Sequence, residues 1–217
     1  MSRKDNISMS VIRRLPRYYR YLSDLLRSGI TRISSSELAQ RMGLTASQIR
    51  QDLNCFGGFG QQGYGYDVEN LYNEICKILG VSSSYNAILV GCGNLGRAVA
   101  SYMQDTSKAF KLVAAFDSSD DKIGKSLNNV PVISADEMFS FCETQKPTAA
   151  ILCIPNSAAA HTVDVLYSAG IRYFLNFSHY DISVKYYDAF VENVHITDSM
   201  LTLCYRITSA EAPDEDE

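Results

Sequence analysis

A glycine fingerprint, Gly91-Cys92-Gly93-Asn94-Leu95-Gly96, stands directly after the apolar run Ala87-Ile88-Leu89-Val90, and an acidic residue, Asp117, follows its last glycine by 21 positions. This spacing dictates a strand, a tight turn and a helix. Gly91 permits the turn, Gly93 lets a pyrophosphate approach the backbone at the helix N-terminus, and Gly96 lets helix and strand pack closely. A bare GxGxxG is weak evidence; here it follows a strand, opens a helix and has its acid at the end of the next strand. Asp117 is placed to accept hydrogen bonds from an adenosine ribose, and its charge repels a 2′-phosphate. NAD(H) is therefore expected rather than NADP(H), with Lys122 and Lys125 nearby keeping the second open.

From Asn86 onward, buried strands alternate with helices: Ala87–Val90, Leu112–Phe116, Val130–Ile133, Ala149–Ile154, Tyr173–Phe177 and Val194–Thr197. Strands in that order predict a doubly wound parallel sheet of the Rossmann type over residues 85–210. Helix starts are expected at Ser134, with Glu137 three residues on, and at Asn156 or Ser157, the latter helix ending at Gly170. A last helix, about Ser199 to Ile207, precedes an acidic tail at 211–217 whose composition predicts disorder.

Some 85 residues precede the fingerprint, and they do not read as a substrate domain. Residues 8–28 carry Ile12, Leu15, Tyr19, Leu22, Leu25 and Leu26 at helical spacing up to Gly29, with Pro16 expected to set or kink the first turns. Ser34-Ser35-Ser36-Glu37 offers a capped start for a second helix that ends at Gly43. A third, Thr45 to Leu53, is expected to bury Ile49 and Leu53 and to turn Ser47, Gln48, Arg50 and Gln51 outward, as a recognition helix in a major groove must. The glycine and aromatic alternation over residues 55–66 suits a β-hairpin wing, after which Asp67 caps a helix from Val68 to Leu79. The boundary is placed in the polar linker Gly80–Ser84, giving a winged helix-turn-helix domain over 1–80.

Charge supports this division. The chain's net charge of −4 conceals residues 1–60 with ten Lys/Arg against four Asp/Glu and residues 61–217 with ten against twenty. A basic front half is the footprint of a duplex DNA reader, with Arg13, Arg14 and Arg17 as further phosphate candidates. The six cysteines contain no CxxC pair, so no zinc or disulfide framework is expected and the thiols read as small buried hydrophobes, a redox role staying open. No metal site is expected. No apolar stretch approaches the roughly 18 residues that span a bilayer, and the first 30 residues lack a signal-peptide core, so a soluble cytoplasmic protein is expected. An enzyme needs a substrate domain and a general acid or base, yet residues 86–210 are consumed by the dinucleotide fold. Ser178-His179 after the fifth strand keeps an NAD-dependent oxidoreductase as an alternative.

The runs RLPRYYRYL (14–22), RISSSELA (32–39), QIRQDLNCFG (48–57), GYGYDVENL (63–71), VGCGNLGRAVASY (90–102), FLNF (174–177) and VENV (191–194) make the chain closely resemble the redox-sensing transcriptional repressors of the Rex family over nearly its whole length. The resemblance implies a homodimer that binds a palindromic operator and is released as NADH rises relative to NAD⁺, without chemistry on the nucleotide. It implies a C-terminal helix, here 199–209, swapped between subunits. It also implies a relay of arginine, tyrosine and aspartate, whose first two positions are Arg20 and Tyr102. The aspartate position holds His195, and Ile196 stands where relatives carry an aromatic. Gln51 and the wing pair Gln61-Gln62 replace residues usually basic in the family, and Ser178-His179 replaces Ala-Pro. A relative with a weak or altered nucleotide response is therefore a second expectation.

Overall fold

The computed structural model describes residues 7–57, 59–61, 64–106 and 109–211, and the chain divides into two compact units between Ser83 and Ser84. Gln62 and the tail from 212 on lie outside the described residues.

The first unit begins with a broken helix. α1 (Met9–Ile12) and α2 (Leu15–Arg27) are separated at Arg13–Arg14, where a single helix was expected. Pro16 in the first turn of α2 explains the break, since it has no N–H to give and its ring clashes with the carbonyl four residues back. β1 (Arg32–Ile33) leads into α3 (Ser35–Met42), whose start is a full capping box: Ser34 Oγ accepts from Glu37 N and the Glu37 carboxylate accepts from Ser34 N. Gly43, with φ 62°, ends α3 and Thr45 caps α4 (Ala46–Asn54). β2 (Gly60–Gln61) and β3 (Gly65–Asp67) form the antiparallel wing, and β1 joins its other edge. Gly65 is required there, because a Cβ would lie 2.6 Å from the Ile33 carbonyl oxygen at a φ of 70°. Asp67 caps α5 (Val68–Leu79). Leu15, Tyr18, Leu22, Leu25, Leu38, Ile49, Leu53, Leu71 and Ile75 share one core, and Tyr19 stacks on Tyr72 at 5.3 Å.

The second unit is a seven-stranded sheet made of β4 (Tyr85–Val90), β5 (Phe110–Asp117), β6 (Ser126–Leu127), β7 (Val130–Ser134), β8 (Ala149–Leu152), β9 (Tyr173–Asn176) and β10 (Phe190–Asn193). The order is β10-β9-β8-β4-β5-β7-β6, parallel throughout except the edge pair β6/β7. Alternate residues of the central strands enter two cores on opposite faces: Ala87 and Leu89 on one, Ile88 and Val90 on the other. Burial on both faces explains why these strands read as continuous apolar runs. α6 (Asn94–Thr106) supplies Ala100 to the first face, and α7 (Met138–Gln145) and α8 (Asn156–Ser168) supply Cys142 and Val163 to the second. α9 (Ile182–Lys185) and α10 (Ile196–Glu211) follow.

Three expectations are corrected. The last strand is Phe190–Asn193, paired in register with Tyr173–Asn176, while Ile196 and Thr197 open α10. Ser134 caps a 3-10 turn (Ala135–Glu137) through Asp136 N before α7 begins, and Pro155 rather than Asn156 or Ser157 precedes α8. Cys55 and Cys204 are exposed rather than buried. No helix among the described residues is long and apolar enough to cross a membrane.

Replacing Ser34 with Ala removes half of the capping box. Thermal unfolding should then show a loss of about 0.5–2 kcal/mol in the first unit.

Candidate DNA-reading helix and dinucleotide cradle

α4 carries its apolar residues on one stripe, Ile49 and Leu53, but Asp52 lies on that stripe too and is 1 % exposed. A buried carboxylate needs donors, and the start of α2 and α4 itself supply them. Arg14 makes a bidentate pair, Nε to Oδ2 and Nη2 to Oδ1, both at 2.7 Å, while Tyr18 OH donates to Oδ2 at 3.0 Å and Gln48 Nε2 to Oδ1 at 2.8 Å. Burial pushes the Asp52 carboxyl up, but the hydrogen bonds from Arg14, Gln48 and Tyr18 outweigh it and hold the group below the ordinary carboxylate value.

The sequence placed Gln48 outward and Arg14 toward phosphates; the structure turns both onto Asp52. Arg17 Nη2 donates to the Met42 carbonyl at the end of α3. Ser47, Arg50 and Gln51 remain on the exposed face of α4, with Arg50 Nη1 donating to Ser35 Oγ at 3.0 Å. Arg13 is exposed, and Gln61 sits in the wing strand β2. Asp52 was missed by sequence reasoning. Its signal is position: an acid three residues after Ile49 and one before Leu53 stands on the buried stripe and calls for a cation from elsewhere.

In the second unit the fingerprint spans the end of β4 and the start of α6, beside β8, where the strand order reverses and α/β sheets bind ligands. Gly91 has φ 96°, and a Cβ there would lie 2.4 Å from the Cys153 carbonyl oxygen; at Gly96 a Cβ would lie 1.9 Å from the Gly91 oxygen. At Gly93 it would meet nothing within 4 Å. That open space lies over the first turn of the 13-residue α6, whose leading N–H groups lack intrahelical acceptors. The cradle fits a pyrophosphate.

Asp117 ends β5 and is 8 % exposed. Its Oδ2 accepts from Cys92 N at 2.7 Å and from Lys122 Nζ at 3.0 Å, and Oδ1 accepts from Ser119 N at 3.0 Å. Burial raises its carboxyl, but the Cys92, Lys122 and Ser119 hydrogen bonds prevail and hold it below the usual range. A carboxylate offers about four lone-pair positions, so about one remains for a ribose hydroxyl. Asp117 therefore ties the glycine turn to the neighbouring strand, and Lys122 brings a cation to the end of β5. Burial pushes the Cys92 thiol up to about 11, with the Asp117 charge adding to the effect, so the fingerprint cysteine is a poor nucleophile at neutral pH.

At the end of β9, Asn176 is fully buried: its Nδ2 donates to the Tyr180 carbonyl and Asn193 Oδ1, and its Oδ1 accepts from Ser178 N and Oγ. His195 Nε2 lies 3.3 Å from the Ser178 carbonyl oxygen, its Nδ1 3.4 Å from the Asp198 carboxylate, and its ring 5.1 Å from that of His179. Tyr102 is exposed on α6, and Arg20 is exposed on α2 in the other unit. Among the described residues no group of three or more metal-ligating side chains comes together.

The fold and these sites define a two-unit protein with a winged helix-turn-helix ahead of a Rossmann domain. A family model described as "Putative DNA-binding protein N-terminus" matches residues 6–54, and one described as "CoA binding domain" matches 82–180. The redox-sensing transcriptional repressor Rex of Thermoanaerobacter pseudethanolicus is 49 % identical over 97 % of this chain and 94 % of its own length, and that of Clostridium beijerinckii is 46 % identical over 98 % and 100 %. Solved structures agree: RSP in complex with β-NAD⁺ and operator DNA superposes with a TM-score of 0.88 at 48 % identity over 96 % of this chain and 95 % of its own. RSP in complex with β-NADH gives 0.86 at 46 % identity over 96 % and 97 %. The chain belongs to the Rex family of redox-sensing transcriptional repressors.

Two glycines separate packing from binding. Gly96→Ala should destabilise the second unit by about 2 kcal/mol or more, whereas Gly93→Ala should leave its melting temperature unchanged and weaken NADH binding measured by calorimetry. Asp52 and Asp117 are held below the carboxylate values of an unfolded chain. Their stabilising contribution is therefore complete above about pH 4 and lost as pH falls through the folded values. Asp52→Asn should flatten that acid limb for the first unit in a pH series of thermal melts.

Proposed function

We propose that this chain is a homodimeric transcriptional repressor that binds a palindromic duplex operator with its N-terminal unit and NAD(H) with its C-terminal unit, and leaves DNA when NADH rises. The observation that carries the reading is the near-complete likeness to RSP, at TM-scores of 0.88 and 0.86 for the forms bound to NAD⁺ with operator DNA and to NADH.

In this reading Ser47, Arg50 and Gln51 of α4 meet DNA, with Gln61 and Gln62 of the sequence as further candidates and Arg13 as a phosphate contact. Gly91 to Gly96 cradle the pyrophosphate, Asp117 and Lys122 take the ribose end, and Arg20, Tyr102 and His195 are the relay. The nicotinamide, when bound, supplies the redox signal, since reduction removes its positive charge. The loop after β9 is pinned by Asn176, and His195 links its Ser178 carbonyl to the first turn of α10. A change in that loop therefore has a path to α10. A differential affinity between the two dimer states worth about 1–3 kcal/mol suffices for a useful switch.

α10 supports the dimer. Ile196, Met200, Leu201, Leu203, Tyr205 and Ile207 are all exposed on it, and a helix with that much bare apolar surface is stable in water only when covered. A second copy is the occupant that the family implies.

One observation favours a second reading, a family member with a weak or altered nucleotide response. His195 stands where relatives carry an aspartate, and it is bonded to Ser178 and near Asp198 rather than offering a carboxylate to Arg20.

Titrating NADH and NAD⁺ separately into the protein on a fluorescent family-type palindrome should lower anisotropy with NADH alone. Firm binding that neither nucleotide disturbs would favour the second reading, and a protein indifferent to DNA would contradict both. Cys204 is exposed on the single chain, so in the dimer it should react with a maleimide far more slowly than Cys55. Equal rates under native conditions would contradict a covered α10.

A further inference from the structure

All four lone-pair positions of the Asp52 carboxylate are occupied: Oδ1 by Arg14 Nη2 and Gln48 Nε2, Oδ2 by Arg14 Nε and Tyr18 OH. The group is 1 % exposed, so each donor withdrawn from it leaves buried charge uncompensated. A salt bridge of this kind holds its donors more firmly than a solvent-exposed phosphate contact would draw them away. The two donors on the DNA side of the unit are therefore committed inward. α4 is at the same time pinned to α2 at Asp52 on its buried stripe, about one and a half turns from Ser47. The remaining cation on its outer face, Arg50, is braced from the start of α3 by Ser35.

We propose that Asp52 is the positioning residue of the DNA-reading surface: it withholds Arg14 and Gln48 from the nucleic acid and fixes α4 against α2, leaving Ser47, Arg50 and Gln51 to meet the bases and phosphates. This rests on the DNA-binding reading above. It differs from what the sequence suggests, in which Arg14 neutralises a phosphate and Gln48 reads a base. It also assigns the bare surface of the helix a specific set of three side chains.

The test uses the full chain on a fluorescent palindrome and on a scrambled duplex of equal length, over a range of salt. Arg14→Gln should weaken palindrome binding by about tenfold or more while leaving the slope of log K against log salt on scrambled DNA unchanged. A slope flatter by about 0.9 would mean that Arg14 neutralises a phosphate and would overturn the proposal. Gln48→Ala should lower affinity for every single-base variant of the palindrome by a similar factor. A loss confined to one base pair would make Gln48 a base reader and would likewise overturn it.

Arg14→Met/Asp52→Leu guards against a trivial loss of fold, because an apolar pair of similar volume commonly restores the stability that a buried ion pair supplies. With melting temperature recovered, the preference for palindrome over scrambled duplex should stay at least about tenfold below that of the unaltered protein. Return of the preference together with stability would reduce Asp52 to a packing role and refute its positioning role. An unaltered protein that binds both duplexes equally would refute the repressor reading, while the Arg14 salt slope on scrambled DNA would still decide where that arginine points.

Discussion

Each unit of this protein is organised around one buried carboxylate held by donors from its own chain, four on Asp52 and three on Asp117. Asp117 joins the end of β5 to the glycine turn at the end of β4 through Cys92 N, and Asp52 joins α4 to α2 through Arg14 and Tyr18. Burying a carboxylate is costly, and a set of short hydrogen bonds offsets the cost only when all of its members are in place. The segment beside each acid is therefore held in one geometry. Those segments are the fingerprint loop and α4, the candidate recognition helix. Among the described residues no buried side-chain polar atom lacks a hydrogen-bond partner, in keeping with this tight pairing.

The remaining architecture follows from where the apolar residues fall. Strands buried on both faces leave α6 on one side of the sheet and α7 and α8 on the other, which sets the cradle at the reversal between β4 and β8. α10 is the exception, because among the described residues its apolar side chains stay exposed. The second unit thus leaves an apolar surface bare. That surface is what a dimer made through α10 would cover.

Signals confined to a few residues were legible in the sequence. The capping box Ser34/Glu37, the Gly43 stop and the Asp67 cap depend on neighbours within four residues, and the glycine fingerprint is a contiguous run, so their chemistry can be read directly. Signals that depend on pairing across the fold were not. Val194–Thr197 is richer in β-branched residues than Phe190–Asn193, yet the latter is the strand, because it alone lies in register with β9. Asp52 gave no local signal of its partner, because the arginine that closes on it, Arg14, lies 38 residues away. Lys122 likewise drew notice only as a charge near Asp117, whereas its ammonium is bonded to that carboxylate.

Linkage offers the most direct trial of the account. If NADH and operator DNA favour opposite states of one dimer, each must weaken the other's binding by the same factor. NADH affinity should be measured from its own fluorescence, with and without a saturating palindromic duplex. The duplex should weaken NADH binding by about 5- to 150-fold, while NAD⁺ affinity changes far less. An NADH affinity indifferent to the duplex would contradict a redox-controlled repressor, however tightly each ligand binds alone.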